Sequence, residues 1–231
     1  MPASPLLVFD LDGTMIDTAV DLIAALNETL AEEGLAAIPV DAVGHLVGAG
    51  GRVMIERGLR HHGLDPAAAD IDRLQGRFIA HYARAMPAAS RPYPGLVAAL
   101  DRFDAAGWRF AVCTNKTEAL ARQLLEALDL APRLQAICGG DTFPVRKPDA
   151  GHLLGTIAKA GGTPQRAIMV GDSRADVEAA KNAGIPVVAV TFGYTDRPVA
   201  DFAPDALIDH FDRLDAAVAG LVKEMTDAAI R

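Results

Sequence analysis

Two carboxylates two positions apart, Asp10 and Asp12, close an apolar run in the stretch LLVFDLDGTMID, residues 6–17. Acids that close together repel each other unless a cation and a division of labour make the pair useful. One can attack phosphorus as a nucleophile. The other can protonate a departing alkoxide and later activate water. Three further stretches carry side chains suited to that chemistry. Thr114 and Asn115, followed by Lys116, end a second apolar run and can donate to phosphoryl oxygens. Lys147, ahead of Pro148, can stabilise developing negative charge. Asp172 and Ser173 follow Gly171, with Asp176 one helical turn further on. Gathered carboxylates demand a cation. Oxygen-only ligands from loops suit Mg2+, with Asp10, Asp172 and the backbone carbonyl of Asp12 as expected ligands. Of His and Cys, only Cys113 stands near these run ends, which disfavours zinc. Gly13 permits a sharp turn that brings backbone N–H groups toward a phosphoryl group.

Such residues act together only if the elements carrying them end at one edge. Strand-length apolar runs are expected at 6–9, 109–114, 135–138, 167–171, 186–190 and 206–208. They are continuous rather than alternating, as strands covered on both faces are. Between them, Pro94 opens a helix that Gly107 closes, and Thr117 caps one running through Leu120, Leu124 and Leu128. Pro148 opens another that Gly161-Gly162 ends, and Ser173 or Asp172 caps a fourth that Gly184 ends. This alternation predicts an α/β fold with a doubly wound parallel sheet. Ligands of such sheets bind at the carboxyl ends of the strands, and the four polar stretches fall at strand ends or helix starts.

From about Thr18 to Ala89 the alternation stops. Val20, Ile23, Ala24 and Leu30 share a helical face. A second helix covers 53–59 and ends near Gly63; Asp65-Pro66 starts a third that continues through Ile71, Leu74, Phe78 and Tyr82. The expected organisation is a core of residues 1–17 and 90–231 with an all-helical cap of residues 18–89. Linkers near Asp17-Thr18 and 90–94 would let the cap hinge over a site. In the cap stretch VGAGGRVM, residues 47–54, Gly48, Gly50 and Gly51 let backbone approach a ligand. Arg52 follows at a helix start, where it either binds an anionic group of a ligand or is solvated.

Composition narrows the classes. Of 231 residues 51% are hydrophobic, enough for a sizeable core. A net charge of -8 without a Lys/Arg cluster speaks against nucleic acid as partner. No apolar run approaches the ~20 residues of a membrane span. The start MPASPLLVFD has no positive stretch, and Asp10 cuts its apolar run, so no secretory signal is expected. Cys113 and Cys138 lie in strand-like runs, so a disulfide framework is not expected and a cytoplasmic location is. Both a monomer and a homodimer fit.

The stretches DLDGT, TNK, KPD and GDSRAD resemble, in order and over essentially the whole chain, the four motifs of the haloacid dehalogenase-like hydrolases. The helical insertion after the first is similar to that family's helical-cap subclass. The resemblance implies a Rossmann-like core, Asp10 as nucleophile and Asp12 as general acid and base. It further implies Thr114 and Lys147 as phosphate contacts, Asp172 as metal ligand, and Asp176 behind it or as an alternative ligand. RPYPGL, VCTNK and VGDSRADVEAAKNAGIPVVAVTFGY most resemble the phosphoglycolate phosphatase branch, which implies Mg2+-dependent hydrolysis of 2-phosphoglycolate. Ala150 stands where a proline is usual after KPD, and Met15-Ile16 where Leu-Val is commoner. Neither departure touches the expected chemistry. An acid at position 12 argues against dehalogenation, because a halide leaves without a proton. The alternatives are a phosphatase of another small metabolite (a sugar phosphate, nucleotide or pyrophosphate), a phosphomutase and, outside enzymes, a catalytically silent binding protein. The expected partner is a small phosphorylated metabolite.

Overall fold

The computed structural model describes residues 4–39, 50–195 and 197–230. In chain order the strands are β1 (Leu6–Phe9), β2 (Ile16–Asp17), β3 (Arg91–Pro92), β4 (Arg109–Cys113), β5 (Leu134–Cys138), β6 (Ala167–Gly171), β7 (Val187–Val190) and β8 (Ala206–Ile208). The helices are α1 (Ala19–Ala31), α2 (Gly51–His61), α3 (Ile71–Ala85), α4 (Leu96–Ala105), α5 (Glu118–Ala127), α6 (Ala150–Lys159), α7 (Arg174–Ala183) and α8 (Leu214–Ile230). No helix among the described residues is long and apolar enough to cross a membrane.

Six strands form a parallel sheet in the order β5-β4-β1-β6-β7-β8. All four residues of β1 are buried, which is why it lies at the centre. Leu6 is in register with Arg109 and Ala167, and Phe9 with Val112 and Val170. Alternate residues serve two cores, as a strand's two-residue period requires. Leu7, Phe9, Val112 and Val170 pack with α4, α5 and α8. Leu6, Val8, Ala111 and Met169 pack with α6 and α7. After β5 the chain crosses back to the other side of β1 and enters β6. The strand order therefore reverses around β1, and a crevice opens beyond its carboxyl end.

The expected strands all form, with ends displaced by a residue at β4, β5 and β7. Helix starts differ more. α4 begins after Gly95, whose φ of 82° lies in the left-handed region, so Pro94 precedes the helix instead of opening it. Thr117 holds the N-cap position of α5 without a side-chain cap bond; Asp141 Oδ1 accepts from Glu118 N at 2.7 Å instead. Asp149 caps α6, not Pro148, accepting from Gly151 N. Ser173 caps α7 in a capping box with Asp176.

Helices α1, α2 and α3 lie between β2 and β3, and no strand occurs among their described residues. Asp65 caps a single 3-10 turn, Pro66–Ala68; Asp70 caps α3, accepting from Arg73 N at 3.1 Å. The buried face of α1 runs through Leu22, Ile23, Leu26 and Leu30, whereas Val20 is 47% exposed and Ala24 exposed. The stripe is rotated from the expected one because α1 must face α2 and α3 together. The two linkers pair with each other: Ile16 opposes Pro92, and Asp17 opposes Arg91. Asp21 locks that crossing, accepting from Ala89 N (2.8 Å), Ser90 N (2.9 Å) and Ser90 Oγ (2.6 Å).

Candidate active site

Asp10 is the first residue past β1, and its N–H donates to Val170 O at 2.9 Å, so the sheet register itself sets its height. The chain then turns sharply at Gly13, φ 82°, and Gly13 N donates to Ile16 O. A Cβ there would lie 2.4 Å from Asp172 Oδ2, so the turn needs glycine for its conformation and for this approach. Thr114, Lys147 and Asp172 are buried around Asp10, which is itself 7% exposed.

Each charged group has its own set of partners. Asp172 Oδ1 accepts from Thr14 Oγ1 at 2.9 Å, and its Oδ2 from Tyr194 N at 2.7 Å. Asp176 Oδ1 accepts from Lys147 Nζ at 2.6 Å. Its Oδ2 accepts from Ser173 Oγ (2.6 Å), Ser173 N (3.0 Å) and Asp172 N (3.2 Å). Lys147 Nζ also lies 2.9 Å from Asp10 Oδ1, without hydrogen-bond alignment. The Asn115 amide donates to Lys147 O at 3.1 Å, and Lys147 N donates to His152 Nδ1 at 3.2 Å. Asn115 thus holds the lysine loop in this structure. Asp12 faces elsewhere. Lys116 Nζ donates to both its oxygens, at 2.7 and 2.9 Å, and Thr18 Oγ1 donates to Oδ1 at 2.8 Å.

Burial pushes the Asp10 carboxyl up to about 6, against the pull of Lys147 and with Asp176 and Asp12 adding to the rise. Burial also raises Asp172 well above its ordinary value, helped by the charges of Asp176 and Asp10. Burial disfavours the Lys147 ammonium, but Asp10 and Asp176 outweigh it and raise its pKa. Lys116 is raised likewise, Asp12 outweighing burial. Fully ionised, the four carboxylates exceed the two ammonium groups by two negative charges, which is what raises Asp10 and Asp172 further. Asp10, Asp172 and Asp176 each offer an oxygen within 4.8 Å of the others. Asp176 accepts four hydrogen bonds, three of them on Oδ2, whereas each Asp172 oxygen accepts one and Asp10 Oδ1 none, so Asp10 and Asp172 keep more lone pairs free. This all-oxygen, doubly negative set fits one hard divalent cation.

A cavity of about 220 Å3, room for about seven waters, opens over Asp10. Its floor includes Asp10, Asp12, Thr114, Lys116 and Lys147 from the core; its roof includes Leu22, Met54, Phe78 and Tyr82 from the helical insertion. Gly50, Gly51 and Arg52 line it as well. Gly51 packs closely on the Phe78 ring, where a Cβ would come within 2.9 Å. Arg52 is engaged at the rim: its Nη1 lies 2.5 Å from Asp72 Oδ1 and its Nε 3.7 Å from Glu56 Oε1. Gly48 lies outside the described residues. The structure thus brings Asp10, Asp12, Thr114, Asn115, Lys147, Asp172 and Asp176 to one edge and sets Arg52 at its margin. Sequence reasoning assigned no role to Lys116, Tyr82, Thr18 or Tyr194. Of these Lys116 carried a signal, its place in TNK, and Tyr194 stood at the end of the stretch VGDSRADVEAAKNAGIPVVAVTFGY.

The haloacid dehalogenase-like hydrolase family pattern matches residues 7–190. A phosphoglycolate phosphatase of Agrobacterium fabrum is 55% identical over 217 residues, covering 94% of this chain and 93% of that protein. A crystal structure described as a predicted phosphoglycolate phosphatase from Haemophilus somnus superposes with a TM-score of 0.85 at 27% identity, over 93% of this chain and 98% of the other. CbbY from Rhodobacter sphaeroides, crystallised in complex with phosphate, superposes with a TM-score of 0.77 at 27% identity, over 92% of this chain and 96% of the other.

Proposed function

The chain belongs to the haloacid dehalogenase-like hydrolases, and on that premise we propose that it hydrolyses 2-phosphoglycolate to glycolate and phosphate through an aspartyl-phosphate on Asp10. One observation carries this reading: the two acids after β1 have separate partners. Asp10 lies against Lys147 on the cavity floor, and Asp12 is held by Lys116 and Thr18. Asp10 attacks phosphorus, forming one P–O bond as the ester P–O bond breaks. The electron pair leaves with the glycolate oxygen, which takes a proton from Asp12. Asp12 then takes a proton from the water that attacks the aspartyl-phosphate, and phosphate leaves. Lys147 and Thr114 stabilise the phosphoryl oxygens. Asp176 holds Lys147 and the Asp172 loop in place, and Asn115 fixes the lysine backbone. Asp10, Asp172 and the backbone carbonyl of Asp12 would hold Mg2+, which supplies neutralisation of the clustered negative charge when bound.

In this reading residues 18–89 are the cap and residues 1–17 and 90–231 the core, with the β2–β3 ribbon at the crossing. Arg52, with Gly50 and Gly51, meets the substrate carboxylate at the rim. Its exposed pair with Asp72 is worth at most about 1 kcal/mol, so releasing it costs little. Two buried free cysteines support a cytoplasmic location. The test is phosphate release by the purified protein from 2-phosphoglycolate, a sugar phosphate, a nucleoside monophosphate and pyrophosphate. The reading expects the highest kcat/KM on 2-phosphoglycolate, loss of activity on chelation, and its return with Mg2+. Preference for another substrate would replace this assignment within the same family.

A further inference from the structure

Tyr82 ends the buried stripe of α3, Ile71, Leu74, Phe78 and Tyr82. Its ring stacks on Phe78, with centroids 6.3 Å apart and planes within 7°. Packing alone would be served equally by phenylalanine. Yet the side chain is fully buried, and its Oη has no hydrogen-bond partner among the described residues. A buried hydroxyl without a partner is a standing cost to the fold. The cost becomes intelligible if the partner is a ligand. Tyr82 lines the cavity above Asp10 and Asp12. Lys116 Nζ lies 4.4 Å from its ring centroid and bridges from there to Asp12. The charges of Lys116 and Asp12 both act on the phenol, which burial raises above its ordinary pKa.

We propose that Tyr82 is a specificity residue of the cap, whose hydroxyl donates to the carboxylate of the leaving group. The inference rests on the phosphoglycolate reading above. Asp12 must reach the ester oxygen, and in 2-phosphoglycolate the carboxylate carbon is two bonds beyond that oxygen. Lys116 contacts both the Tyr82 ring and Asp12, so the two side chains flank one ammonium group. Neighbouring roof residues Leu22, Met54, Phe78 and Ile79 are apolar and offer the carboxylate nothing. Lys116 is occupied by Asp12 and Arg52 meets the carboxylate only from the rim, whereas the Tyr82 hydroxyl has no hydrogen bond among the described residues to give up.

The experiment compares wild type with Tyr82→Phe on 2-phosphoglycolate, ethyl phosphate and an aryl phosphate, all at saturating Mg2+. Ethyl phosphate keeps the two-carbon leaving group without its carboxylate. The expected result is a ten- to hundredfold fall in kcat/KM on 2-phosphoglycolate, about the contribution of a hydrogen bond to a charged group. Ethyl and aryl phosphates should stay within about twofold. Tm should be unchanged or higher, because the substitution removes only the unpartnered hydroxyl. Equal losses on all three substrates, or no loss on any, would overturn the role of Tyr82 while leaving the phosphatase reading intact. A wild type that does not prefer 2-phosphoglycolate to ethyl phosphate would overturn the substrate assignment and this inference together.

Discussion

Asp10 and Asp12 are the same residue type two positions apart, and their different partners fit the different work proposed for them. Lys147 stands beside Asp10, and Lys116 with Thr18 orients Asp12. Asp12→Asn should therefore slow cleavage most where the leaving group needs a proton. Single-turnover phosphoenzyme formation should fall sharply with the alkyl substrate 2-phosphoglycolate and little with an aryl phosphate. Equal losses would reduce Asp12 to a structural role. Asp10, Thr114 and Asp172 were legible in the sequence because each directly follows a buried apolar run, which marks a strand end. Lys147 and Asp176 were legible by their motifs. Lys116 was visible but silent, since its partner Asp12 lies 104 residues earlier. Tyr82 was hidden for a different reason: at four residues from Phe78 it continues an apolar helical stripe and reads as core.

At the scale of elements, strands were easier to place than helix starts. A strand buried on both faces is an unbroken apolar run, whereas a helix start depends on which local acceptor meets the free N–H groups. Asp149 and Asp70 took that part where Pro148 and Asp65 had suggested it. The β2–β3 ribbon was not legible at all, because two residues per strand carry no period and the strands are far apart in sequence. Asp21 is the residue that makes the crossing rigid. It is buried and accepts three hydrogen bonds from Ala89 and Ser90. Asp21→Ala strands those donors and should lower stability by about 3 kcal/mol, measured from the denaturant midpoint at constant slope. A change under about 0.5 kcal/mol would mean that the cap crossing is held by the ribbon alone.

For the whole molecule, the strand–helix alternation and its interruption made the α/β core and the helical insertion readable, whereas the charge balance of the site needed the structure. Fully ionised, the cluster would hold an excess of two negative charges, which costs stability unless a cation or protons offset it. Asp10 binds a proton more tightly when folded, at about 6 against an ordinary 3.8, and Asp172 is raised as well. Between about pH 4 and 6 the folded state therefore holds more protons than the unfolded one. The contribution of Asp10 to stability falls as pH rises through that window, and the raised Asp172 acts in the same direction. Mg2+ should offset this. The stabilisation by Mg2+, read as a rise in Tm, should grow across that window, and its free energy should reach about 2.7 kcal/mol at a hundredfold excess over Kd. Asp172→Ala should abolish most of the gain, and a Mg2+ response that survives it would place the cation elsewhere. The central claim, that Asp10 takes the phosphoryl group, is tested most directly by steady-state turnover of 2-phosphoglycolate by Asp10→Asn at saturating Mg2+. The account predicts a loss of at least about 10,000-fold in kcat with the circular dichroism spectrum retained. A folded variant that loses only a few-fold would contradict it.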